Sequence, residues 1–127
     1  TLANFRHLAL ADQPIVAKAA YADTTHLRQA VQHTPGAIGF LPFGAVQKGV
    51  DAVALDGVTP TATHVITNRW PLWAYAHLYT NGAPDAATAK FIHYLQTTPK
   101  LAANAGDISI QAMQVARTHD GMIEDTH

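Results

Sequence analysis

Thr1 is the most provocative side chain in the 127-residue sequence, because a free N-terminal amine can activate its own hydroxyl as a nucleophile. The rest of the catalytic inventory is thin. There is no cysteine, and the single serine, Ser109, lies outside any Gly-x-Ser-x-Gly turn. Glutamate occurs once, at Glu124, so a paired-carboxylate mechanism would have to draw on aspartates. No lysine lies near Thr1 in sequence to assist it. The sequence therefore reads as non-enzymatic, with an N-terminal-threonine hydrolase as its weakest alternative.

Eight histidines raise the question of a metal. Two ligands on one helix converge at i, i+3 or i, i+4. His26 and His33 are seven apart, no pair has the convergent spacing, and His119-Asp120 falls in an expected turn. Neither a metal nor a cofactor is expected. There is no Gly-x-x-x-x-Gly-Lys loop and no Gly-x-Gly-x-x-Gly to cradle a nucleotide. Trp73, Tyr75 and Tyr79 alternate on one face and could line a groove, but such a stripe reads first as a strand packing on a helix.

The length suits one ordinary domain with its own core. A net charge of −1 gives no reason to expect nucleic acid or an anionic membrane as a partner. Charged residues make up 13%, against roughly 25% in soluble domains, while 48% of the chain is apolar. A surface so short of charge points to part of it being covered by something outside this sequence. No apolar run approaches the ~20 residues that span a bilayer.

The hydrophobic period changes along the chain as it does in α/β proteins. Residues 2–10 read as a short helix with Leu2, Phe5 and Ala9 on one face, and residues 15–20 as a strand. Asp23 or Thr24 caps a helix carrying Leu27, Ala30 and Val31, which Pro35-Gly36 ends. Residues 37–41 then form a buried strand and 51–55 a half-exposed one turned by Asp56-Gly57. One or two helical turns come next, over 61–68. A long strand over 73–80 has Trp73, Tyr75, His77 and Tyr79 on one face, and Asn81-Gly82 stops it. Asp85 caps a helix bearing Phe91, Ile92 and Leu95, and Pro99 opens another that runs to Ala105. The tail reads as a hairpin around Asp120-Gly121.

The order of these pieces is more informative than any one of them. "LRQAV", "TPGAIGFLPFGAV", "VDAVALDGVTPT", "RWPLWAYAHLYTNG" and "ATAKFIHYLQT" succeed one another between Ala22 and Thr98. In that order and spacing they resemble the C-terminal part of the phosphate-binding proteins of ABC transporters, in the type II periplasmic-binding-protein superfamily. The ending "GDISIQAMQVARTHDG" is similar to the C-terminal strand and tail of Gram-positive members.

The resemblance implies an α/β chain that is part of a two-lobed fold, a mixed sheet flanked by helices, with the N-terminal part lying outside this sequence. Residues 1–72 would belong to the second lobe. Residues 73–127 would supply a hinge-crossing strand and the return to the first lobe. "AIGFL" would be a central strand buried on both faces, hence its unbroken apolar run, with Gly39 allowing close packing. The start "TLANFRHLAL" is similar to the stretch at the end of the family's Ser-Gly-Ser-Gly-Thr anion-binding turn, which makes Thr1 a phosphate donor at a helix N-terminus. The function implied is capture of inorganic phosphate outside the membrane, at a lipoprotein-anchored cell surface or in a periplasm, for delivery to an ABC permease. Further partners would be the remainder of the polypeptide or, for the chain alone, a second copy. A non-transport interaction module reusing the fold is the alternative, since fold does not fix function.

Overall fold

The computed structural model describes residues 2–118 and 123–125 as a mixed helix and strand chain. Helix α1 spans Leu2–Leu10, α2 Thr24–His33, α3 Ala62–Ile66, α4 Ala86–Thr97 and α5 Pro99–Ala105. A short antiparallel hairpin joins β1, Val115–Arg117, to β2, Ile123–Asp125, with Ala116 opposite Glu124. No helix among the described residues is long and apolar enough to cross a membrane.

The helices form where their caps dictate. The Asp23 carboxylate accepts from the backbone N–H of His26, Thr61 Oγ1 from that of His64, and the Asp85 carboxylate from that of Thr88. Pro99 stands in the first turn of α5, where its missing N–H costs nothing. Gly106 ends α5 in the left-handed conformation with φ 79°, the position that glycine fills without a Cβ penalty.

Packing is sparse. Phe5 of α1 stacks on Phe40, with centroids 4.4 Å apart and planes 6° from parallel. Residue 39 passes close to α2: a Cβ there would lie 3.1 Å from Val31 Cγ2 and 3.3 Å from Leu27 Cδ1, so a larger residue needs those side chains to give by a few tenths of an ångström. The 3₁₀ turn Phe43–Ala45 meets the end of α5, where Gly44 and Gly106 cross. None of these contacts encloses a side chain: no described residue is buried. The chain exposes 9653 Å², whereas a folded monomer of its mass exposes about 6,600 Å². Among the described residues, the core expected from chain length does not form.

That deficit corrects every strand expectation outside the tail. Residues 15–20 form no strand, and Val16 is 96% exposed. Residues 37–41 run without a ladder and Ile38 is 82% exposed, so the segment is neither a strand nor buried. Residues 51–55 reduce to a single bridge between Leu55 and Val58, closed by Asp56 and Gly57 with φ 50° and 77°. Residues 73–80 are likewise not paired as a strand. The reason is common to all four. A strand exists only where a neighbour completes its hydrogen bonds, and an apolar stretch is buried only where a second layer covers it. The tail does pair as expected, although its turn residues, Asp120 and Gly121, lie outside the described residues.

Candidate functional site

The residue expected to hold an anion, Thr1, lies outside the described residues. The helix next to it, α1, starts at Leu2, and its first turn contains no acidic side chain. Helix N-terminal N–H groups without a carboxylate beside them favour an anion. Along the flank of α1 a groove of about 600 Å³ is bounded by Phe5, Leu8, Leu55, Val58, Leu72 and Arg69. Its lining is mainly apolar, which suits a covering side chain rather than a hydrated oxyanion.

A smaller cleft of about 350 Å³ opens at the start of α2, among Thr24, Thr25, Arg28, Gln47 and Asp107. Its lining holds one acid, Asp107, and one base, Arg28, so it carries no net preference for an anion. Just before it, the Asp23 carboxylate takes up the N–H of His26, which holds that carboxyl below its ordinary pKa. Asp85 is lowered in the same way by the backbone N–H of Thr88.

The histidines are used locally. His7 and His26 pair with Asp12 and Asp23 at 2.8 and 2.6 Å. The Nδ1–H groups of His33 and His64 donate to the carbonyls of Gln29 and Thr59, both at 2.7 Å. Among the described residues no three acidic or histidine side chains converge as a metal site would need. Ser109 accepts the N–H of Gln111 in a 3₁₀ turn, a structural use.

The densest polar cluster lies where the tail meets the segment after α3. Asn68, left-handed at φ 54°, accepts the indole Nε1–H of Trp73 at 2.8 Å. Arg117 places its guanidinium 4.5 Å from the centre of the Trp73 ring and donates from Nη2 to the Pro71 carbonyl at 2.5 Å. Its backbone N–H donates to Tyr75 Oη at 3.0 Å. Burial lowers the pKa of this guanidinium, which still stays charged at any accessible pH. The Arg117 Nε–H is buried without an acceptor among the described residues. Beyond Tyr75 the aromatic row continues edge-on to His77 at 6.4 Å and tilted to Tyr79 at 6.1 Å, as the alternation requires.

Arg117 and Asn68 carried no signal in the sequence. An arginine in a short strand and an asparagine after a helical turn are commonplace, and the tail reaches Tyr75 and Pro71 across 42 and 46 residues.

No protein-family model matches the chain. The phosphate-binding protein PstS of Bacillus subtilis (strain 168) is 34% identical to it over 99 residues, which cover 75% of this chain and 33% of that protein. The chain spans about a third of the length of the curated relative it matches. It is, over most of its own length, a distant relative of a phosphate-binding protein.

Proposed function

We propose that this chain is the C-terminal part of a solute-binding protein of the periplasmic-binding-protein type, which captures inorganic phosphate outside the membrane and delivers it to an ABC permease. The similarity to PstS over 99 residues carries this reading. The exposed surface supports it, because the chain leaves uncovered about 3,000 Å² beyond the exposure of a folded monomer of its mass. In this reading the role is non-catalytic. Residues 1–72 belong to the second lobe, and residues 73–80 carry the chain across the hinge to the first. Thr1 donates its hydroxyl and backbone N–H to a phosphate oxygen at the start of α1.

A clamp of two lobes draws its affinity from surrounding the ligand, and one helix N-terminus in open water supplies little of that. Calorimetric titration with phosphate tests the reading on two proteins: the 127-residue chain and the longer polypeptide that contains it. The chain alone is expected to bind no more tightly than millimolar, which is about −4 kcal/mol. The longer polypeptide is expected to bind far more tightly, and to lose affinity on Thr1→Val through loss of a donor. Absence of phosphate binding by the longer polypeptide would overturn the proposal. Unchanged affinity in the Thr1→Val protein would remove Thr1 from the site while leaving the rest.

A further inference from the structure

Three polar contacts join residues 114–117 to residues 66–75. The Gln114 N–H donates to the Ile66 carbonyl at 3.1 Å, just as α3 ends. The Arg117 N–H donates to Tyr75 Oη, and its Nη2 donates to the Pro71 carbonyl. The guanidinium closes over Trp73, whose indole is oriented by its own bond to Asn68. Residues 74–80, by contrast, make no backbone–backbone hydrogen bond to any described residue. An extended segment without a ladder does not hold its direction in water. At the Pro71 to Tyr75 end, the Trp73 N–H donates to the Pro71 carbonyl at 3.0 Å in a local turn, and the contacts from the tail add the long-range hold.

We infer that the C-terminal hairpin is a strap clasped by Arg117. It holds residues 71–75 in place, and so aims the aromatic row that starts there with Trp73 and Tyr75 and continues to His77 and Tyr79. The chemistry of the clasp suits arginine alone. A planar guanidinium stacks on an indole and still reaches a carbonyl in its own plane, whereas an ammonium does one or the other. Opening the strap removes the acceptor from the Arg117 N–H and frees one face of Trp73. The segment after α3 then loses its tether. The clasp acts in this way whichever ligand the protein binds.

Amide hydrogen exchange on the 127-residue chain, read at residues 66–76 and 113–118, tests the strap from both sides. Arg117→Gln removes the clasp and keeps the backbone; Trp73→Leu removes the face it closes on. Each is expected to speed exchange at the Gln114 amide by about fivefold or more, the effect of losing one net contact. Exchange in α4 should be unchanged. Exchange at Gln114 that stays at the parent rate in both variants would overturn the inference. If Arg117→Gln speeds exchange in α4 as well, the decision passes to Tyr75→Phe, which removes only the hydroxyl. Faster exchange at Gln114 in that variant supports the strap, and parent-like exchange there overturns it.

Discussion

The guanidinium of Arg117 lies 4.5 Å from the ring centre of Trp73, a contact between the tail hairpin and the segment that comes after α3. Both side chains are half-buried, so the contact is partly screened from water. Replacing Arg117 by Lys keeps the charge but loses the stacked plane and the bond to Pro71. The expected cost is about 0.5–2 kcal/mol, and a denaturation midpoint equal to the parent's would contradict it.

Phe5 and Phe40 are the contact that fixes α1 against residues 37–41. Parallel rings at 4.4 Å should couple by about 0.5–1.5 kcal/mol beyond the area they cover. A double-mutant cycle of Phe5→Leu and Phe40→Leu, read by urea unfolding, measures that coupling directly. Additive effects would show that the rings are neighbours without being partners.

Gly106 and Gly36 both have φ near 80°, at 79° and 76°. Their surroundings differ. A Cβ on Gly106 would lie 2.6 Å from Gly44 Cα, while one on Gly36 would meet nothing within 4 Å. Gly36→Ala should cost only the left-handed conformation, about 1–2 kcal/mol. Gly106→Ala should add about 1–3 kcal/mol of overpacking. Equal losses of stability in the two variants would show that the Gly44 crossing yields easily.

Acid should weaken α2 and α4 through their caps. The folded-state pKa values of Asp23 and Asp85 are depressed, chiefly by the backbone N–H groups of His26 and Thr88. An unfolded aspartate titrates near about 3.9. The stabilisation from each cap is therefore fully present above that value and disappears as pH falls through the lower folded values. Asn caps a helix nearly as well without titrating in this range. Far-UV circular dichroism of Asp23→Asn and Asp85→Asn proteins should accordingly show a shallower acid loss of helix than the parent, and identical curves would refute the assignment.

The exposed apolar side chains should make the chain associate. Phe91 and Tyr94 of α4 are 60% and 54% exposed, and Tyr79 is 89% exposed. The surplus surface exceeds the ~800 Å² per partner of an ordinary stable interface. Analytical ultracentrifugation at micromolar concentration is expected to give dimers or larger species that bind a hydrophobic dye. A monodisperse monomer without dye binding would be the contrary result.

The helices could be read from the sequence because what makes them is local. Asp23, Thr61 and Asp85 reach N–H groups three residues on, Pro99 stands where no donor is missed, and Gly106 supplies the left-handed stop. The alternation in "WAYAHLY" likewise set Trp73, Tyr75, His77 and Tyr79 on one side, since that arises from an extended backbone alone. The strands were different. An apolar run such as "AIGFL" states that its residues prefer burial, but pairing and burial depend on a neighbour that the run does not contain. Here none of the described residues supplies that neighbour for 37–41 or 73–80. The Arg117 clasp was invisible for the converse reason. Its partners are 42 and 46 residues away, and no local pattern encodes which carbonyl or ring an arginine will meet once the chain has folded back.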